Sequence, residues 1–475
     1  MFKRSLYLLI TILAFQSGIT QEKWDLRKCV EYALANNISI KQTDLQSRFS
    51  ELNLQQSKAG QLPSLNFNGS IGYRFGRSEN PTTGVLEDNN FLNSGMQMQS
   101  QVTIFNWFSQ KNTIEANRLT WEADKEQTKK IQNDIALNVA VAYLQILLAR
   151  EQANIARVQV VQTQEQLGIT RKRVDAGALP ELNAAELEAQ LARDSSGLVT
   201  AESSVKQFIL QLKALLNLDA AVEFDVETPS VDRIPVESLA DLQPDAVYAM
   251  ATATFPQQKV NDLRLQAAIK SVEAAKGTMY PTISGYGGLG TSYVNLKIPQ
   301  FQPGPKGPTG ATVNVGGTDF SVEAPTFIII GENAIPVGRQ FRNNFGQNIG
   351  IALSVPILNG RSARTAWDRS KLNVKQMELT KQQGDMQLKQ DIYTAYNDAM
   401  AALQKFNADK KSVETAQKSY DFAQKRYDLN LLSTFELVNS QNNLLTAKIQ
   451  ALYSQYDYLF KMKLLEFYKG QGLKL

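Results

Sequence analysis

The chain has 475 residues, with 50 basic and 46 acidic side chains, one cysteine and no histidine. So slight a positive excess leaves no footprint for nucleic acid, and the missing histidine removes His-ligated zinc, Ser-His-Asp triads and Cys-His dyads together. Neither a Walker loop nor a Gly-x-Gly-x-x-Gly turn occurs, so composition argues against an enzyme, and no metal or cofactor is expected.

Lys3 and Arg4, the apolar run Leu6 to Phe15 and the small or polar residues near Ser17 to Thr20 read as a secretory signal over 1–20. The run is too short to span a bilayer. No stretch of about twenty apolar residues follows it; Ile135 to Ala149 comes closest, interrupted by Asn138 and Gln145. The mature chain is therefore expected to have no helical membrane anchor. Cys29 falls on a helical pattern and reads as a buried, inert thiol.

A helix is expected from Asp25 to Ala59, with Pro63 marking the change to strand. Leu65, Phe67, Gly69, Ile71, Tyr73 and Phe75 alternate with Asn66, Asn68, Ser70, Gly72 and Arg74. Met96, Met98, Val102 and Ile104 alternate likewise with Gln97, Gln99, Gln101 and Thr103. One apolar and one polar face over about ten residues suits a barrel strand between lipid and water. Taken alone, the pattern also suits a half-buried soluble sheet. Trp107 and Phe108 stand where strand joins helix, as membrane-interface aromatics do.

From Ser109 to Arg173 there is no proline and one glycine, Gly168. About 65 residues of helix extend roughly 100 Å, far beyond a globular core. The returning helix, Glu181 to Asn217, carries Leu191, Leu198, Val205 and Leu212 every seven residues, with Ala201, Phe208 and Leu215 beside them. A 3.5-residue period predicts a left-handed coiled coil, although ordinary bundle packing gives similar seams.

The acidic, proline-bearing stretch 219–243 reads as a linker, and then the order begins again. A helix is expected from Pro244 to Lys276, Pro281 ends it, and the glycine-rich Ile283 to Tyr293 is the third strand. Phe345, Ile349, Ile351, Leu353, Val355 and Ile357 form one face of the fourth. Ala363 to Leu429 is the second long helix, with Val413, Ala416, Tyr420, Ala423 and Tyr427 as its seam. The first copy has Val160, Thr163, Leu167, Thr170 and Val174 there, a weaker seam 253 residues earlier. At the same offset, Arg173–Leu179 falls on Arg426–Leu432, and Val102–Asn106 on Val355–Asn359. Such a repeat means duplicated architecture. The expected domains are the first repeat at 21–218, the linker at 219–243 and the second repeat at 244–475.

Pro63 to Ile104 is 41 residues and Pro281 to Ile357 is 76, so the second copy holds 35 more. They fall between its strands, around 294–344, and read as a surface loop or as a lid. Four strands cannot enclose a pore, and an open edge in lipid leaves backbone groups unpaired. Three copies would supply twelve strands, enough for a water-filled lumen.

These features, taken in order and twice over, resemble the TolC-like outer-membrane efflux protein family across nearly the whole mature chain. Ile104-Phe105-Asn106, Pro356-Ile357-Leu358-Asn359-Gly360 and the two helical turns, Arg173 to Asn183 and Arg426 to Glu436, carry the likeness. The resemblance implies an α+β membrane protein. It would be a homotrimer with a twelve-stranded β-barrel in outer-membrane lipid and an α-helical periplasmic barrel of coiled-coil hairpins. It further implies passive export of small molecules or proteins, with a periplasmic adaptor and an inner-membrane pump as partners.

Carried over residue by residue, Glu436 is the acid lining the periplasmic entrance, and Asn439 stands where a second acid is usual. Tyr427 and Asn183 match positions that hydrogen-bond between hairpins to hold the entrance closed. Leu432 replaces a basic residue. Gly177, Ala178, Leu179, Asn430, Leu431 and Leu432 form the tips that would meet the adaptor. Two of these residues keep a simpler reading. Ser433-Thr434-Phe435-Glu436 is also a capping box, and Tyr427 also continues the core seam. A periplasmic adaptor and a coiled-coil spacer without a pore are the competing classes. An adaptor would carry a single hairpin within small β-domains.

Overall fold

The structure is a computed structural model that describes residues 23–79, 84–88, 90–229, 237–295 and 297–470. The expected signal at 1–20 and linker residues 230–236 lie outside the described residues. Two compact units emerge. One takes in the described parts of 1–53, 116–269 and 372–475, the other those of 54–115 and 270–371.

The duplication is visible element by element. Helices α1 (Leu26–Asn36) and α2 (Ile38–Ala59) lead to β1 (Ser64–Arg74), a small hairpin β2 (Arg77–Glu79) and β3 (Leu86–Asp88), and β4 (Phe91–Phe105). Then come α3 (Ser109–Asp175) and α4 (Glu181–Leu216). The second copy runs α5 (Pro244–Thr254), α6 (Pro256–Gly277), β5 (Thr282–Val294), β6 (Lys297–Val315), β7 (Thr318–Ala334), α7 (Val337–Asn343), β8 (Gly346–Ser354), α8 (Ser362–Asp428) and α9 (Thr434–Tyr468). The long helices α3 and α8 each have 67 residues, and both ends agree at an offset of 253.

The first helix of each copy, expected to be continuous, is broken in two. At Asn37 the backbone is extended, and the side chain accepts from the Ser39 amide (2.9 Å) and donates to the Leu215 carbonyl (2.9 Å). At Phe255 the following Pro256 disfavours the helical region and forces the same extended geometry. One break is made by an amide and the other by a ring.

In the helical unit the core is built twice from matching positions. Around α1, Cys29, Ala33, Val139, Ala142, Ile146 and Leu212 are buried together. Around α5, Val247, Ala251, Ile392, Ala395, Ala399 and Leu465 occupy the corresponding places. Cys29 thus fills a valine's space, and burial pushes its thiol up to about 12. One window of α3 is apolar enough to cross a membrane by length and composition alone. Its Val139, Tyr143, Ile146 and Leu147 are core residues, which accounts for that apolarity without lipid. The linker is anchored by a short parallel bridge, Trp24 to Val226, by the Tyr143 hydroxyl donating to the Glu227 carbonyl (2.7 Å), and by Arg150 pairing with Asp225.

The other unit holds a four-stranded antiparallel sheet in the order β1-β4-β5-β8. Its register sorts the two faces. Phe67, Met98 and Leu289 share a row, as do Val102, Gly285 and Ile351. On the other face Asn66, Gln99, Gly288 and Asn348 align. The expected alternation is therefore present, and the apolar side stands open: Ile71 is 74% exposed and Ile349 92%. Tyr286 faces Gly350, where any Cβ would collide with its ring, so glycine there makes room for the aromatic.

The stretch around 294–344 is not a loop. Strands β6 and β7 pair as a two-stranded ribbon with register shifts, and Gly304 to Gly310 lies inside β6. Proline is tolerated because β6 pairs along one side only. At the base of the ribbon, Gln340 on α7 behaves like a strand residue, accepting from the Val294 amide (3.0 Å) and donating to its carbonyl (2.8 Å).

Candidate functional site

Each long helix ends in the same left-handed turn. Gly177 (φ 75°) and Asn430 (φ 58°) take corresponding positions. The Gly177 amide donates to the Val174 carbonyl (2.8 Å) and that of Ala178 to Arg173 (2.9 Å); Asn430 to Tyr427 (2.9 Å) and Leu431 to Arg426 (2.8 Å) repeat the pattern. These paired bonds satisfy the last helical carbonyls and aim the chain back on itself. The tip residues Gly177, Ala178, Asn430 and Leu431 are exposed, while Leu179 and Leu432 are half-buried.

The returning helices start differently. Pro180 offers α4 no side-chain cap, whereas Ser433 and Glu436 complete a capping box on α9. Hydrogen bonds from the Ser433 hydroxyl and amide, with Arg426 nearby, hold the Glu436 carboxyl below the usual range. Glu436 and Asn439 are both exposed and three residues apart on the helix, so they share a face.

Tyr427 is buried, and its hydroxyl lies 3.0 Å from that of Thr170 on α3. Thr434 donates to the same oxygen at 3.4 Å. Asn183, expected as the partner, is half-buried, and among the described residues its side chain makes no hydrogen bond with Tyr427. Gln424 and Gln166 link the same helices at 3.3 Å. Further along, Thr163 donates to Asp194 (2.6 Å), Gln190 donates to Asp194 (2.7 Å) and to Asn442 (3.0 Å), and Gln441 donates to Thr163 (3.2 Å). The contact between hairpins is thus a buried polar ladder. Thr163 and Thr170 belong to the seam that looks weak in sequence, and that weakness was the available signal.

At the strand-to-helix junction, Trp107 and Phe108 both take left-handed backbone angles (φ 53° and 60°), matched by Gly360 and Arg361 (59° and 61°) in the second copy. Trp107 packs on Tyr280 (centroids 4.9 Å apart), and Phe105 packs on Trp107 (5.5 Å) and Phe108 (5.6 Å). No group of His, Cys, Asp or Glu side chains suited to a metal occurs among the described residues.

A family profile described as outer membrane efflux protein matches residues 29–218 and 330–469. The chain belongs to that family. The outer membrane efflux protein BepC of Brucella suis is 21% identical over 450 residues, covering 94% of this chain and 85% of its own length. Outer membrane protein TolC of Escherichia coli is 21% identical over 451 residues, covering 93% and 81%. Among solved structures, CusC superposes with a TM-score of 0.75 at 16% identity, covering 94% of this chain and 92% of that one. This outer membrane efflux protein therefore has the fold of a transmembrane channel and resides in the outer membrane of a Gram-negative cell. The adaptor and spacer readings fall with that assignment.

Proposed function

We propose that three copies close their sheets into a twelve-stranded barrel and that the assembly is a passive exit duct, supplied by an inner-membrane pump through a periplasmic adaptor. One observation carries this: a four-stranded sheet with an exposed apolar face, an amide-rich opposite face and two outer strands, β1 and β8, each paired along one edge. In hydrocarbon such edges must be paired. Setting β8 of one copy beside β1 of the next continues the antiparallel alternation, so strand direction permits closure. Asn66, Asn68, Gln97, Gln99 and Asn348 would then line the water-filled side.

In this reading the repeats 21–218 and 244–475 supply matched staves, and 219–243 joins them. The turns at Gly177–Leu179 and Asn430–Leu432 meet the adaptor. Contact there splays α8 and α9 from α3, breaking the Tyr427–Thr170 bond and widening the entrance, with Glu436 and Asn439 on its rim. Asn439 lacks the second carboxylate, so cation selectivity is modest. Small molecules, drugs among them, or proteins are the cargo. The mass of the detergent-extracted complex tests the proposal. Three protomers support it, and a monomer or dimer, leaving the sheet open in lipid, overturns it.

A further inference from the structure

An open cleft of about 880 Å³ lies beside the junction of sheet and helices, with Lys58, Gln61, Phe108, Lys111, Asn112, Glu115 and Lys270 in its lining. Its walls are pinned. Gln110 donates to the Ser57 carbonyl (2.6 Å), fixing the start of α3 to the end of α2, and Ser109 donates to the Ala274 carbonyl (2.9 Å), fixing it to α6. Gly277 allows that approach, since a Cβ there would sit 2.8 Å from the Ser109 side chain.

Three ammonium groups therefore face one cleft, against a single carboxylate, Glu115. Lys270 shares its charge with Glu273 (3.0 Å). Among the described residues Lys58 and Lys111 have no ion pair. The depth of the cleft follows from the ring beside it. Phe108 packs edge-on against Phe105, which pairs with Ile283 on the apolar face of the sheet. Passing along that face, the surface runs from aliphatic to aromatic to cationic, the profile of a bilayer interface.

We infer that this cleft binds the phosphodiester of an anionic phospholipid headgroup, with Lys58, Lys111 and Lys270 around the phosphate, Gln61 and Asn112 at the headgroup hydroxyls, and Phe108 against the first acyl carbons. The inference rests on the proposed barrel, since only then does the apolar face meet lipid. It gives each protomer an anchor that fixes the height of the barrel in the membrane.

Native mass spectrometry of the full-length complex, titrated with phosphatidylglycerol or phosphatidylcholine, tests both ideas separately. The wild type is expected to retain phosphatidylglycerol, up to one per protomer, and little phosphatidylcholine. Lys58→Ala, Lys111→Ala and Lys270→Ala together should lower that retention on the order of tenfold, and the triple arginine variant should keep it. The oligomer mass in the same spectrum reports on the barrel independently. Equal retention by the alanine variant, or equal retention of phosphatidylcholine, overturns the lipid site. Displacement of phosphatidylglycerol by inorganic phosphate alone would instead make it a soluble-anion site and would also overturn it.

Discussion

The hydroxyls of Tyr427 and Thr170 lie 3.0 Å apart, though 257 residues separate them in the chain. Both side chains are buried, and the bond ties the end of one long helix to its counterpart in the other copy. Tyr427→Phe leaves the Thr170 and Thr434 hydroxyls without this partner, a loss of roughly 1–3 kcal/mol. Adding Thr170→Val should recover part of it, because both members of the pair are then apolar. Denaturant melts of the four variants in detergent give the cycle. In cells, Tyr427→Phe should raise sensitivity to a large antibiotic, and unchanged sensitivity would leave the bond a packing feature only.

That pair also marks a limit of what local sequence encodes. Repeats, prolines and heptads made the helices and strands legible, because each signal is local or recurs at a fixed offset. Thr170 was not legible as a partner: a threonine in a coiled-coil seam reads only as a defect until the facing helix is known. Asn37 hid its helix break for the same reason, since it holds the extended backbone by bonding to Leu215, far away in sequence. The ribbon is not legible in sequence because Pro299, Pro303, Pro305 and Pro308 imitate a loop, and nothing local tells a strand paired along one edge from irregular chain.

The cap at Ser433 separates stability from selectivity. Ser433→Ala should cost about 1 kcal/mol in the first turn of α9, seen as faster amide exchange at 434–437, with the Glu436 carboxylate left in place. Glu436→Gln should leave that turn largely protected and reduce cation preference in single-channel recordings. If both variants change exchange alone, Glu436 is a cap and no more.

The pH response of the same cap follows from its direction. The Glu436 carboxyl titrates below its unfolded value of about 4.3 because Ser433 donates to it. Its contribution is therefore complete above that value and is lost as pH falls through the lowered one. Amide exchange at 434–437, corrected for its intrinsic rate, should be flat from pH 7 to about pH 5 and rise only in stronger acid. A rise near neutrality would contradict the assignment.

Left-handed turns at equivalent positions allow a test free of packing effects. Nothing lies within 4 Å of a Cβ built on Gly177 or Gly360. Alanine at either should therefore cost only the backbone term, roughly 1–2 kcal/mol. Asn430 already accepts this geometry, so Asn430→Gly should change stability by less than about 0.5 kcal/mol. Equal penalties at Gly177 and Asn430 would mean that the tip is held by something other than its own turn.

The ribbon β6–β7 is joined to the sheet through Gln340 and the Asn295 amide, which donates to the Leu92 carbonyl (2.8 Å), and its own ladder is closed on itself. Replacing residues 297–334 by a short turn should leave the four-stranded ladder, the oligomer mass and the melting temperature unchanged. Conductance then decides what the ribbon does. Its exposed Phe327, Ile328, Ile329 and Ile330 form an apolar run at the end of the sheet remote from the helix junctions. If three such runs met over the pore they would exclude water, and deletion would raise single-channel current several-fold. The expected result is no change, because a two-stranded ribbon held at its base has few contacts to keep it across a pore. An increased current would make the ribbon a lid and assign the apolar run to its closure.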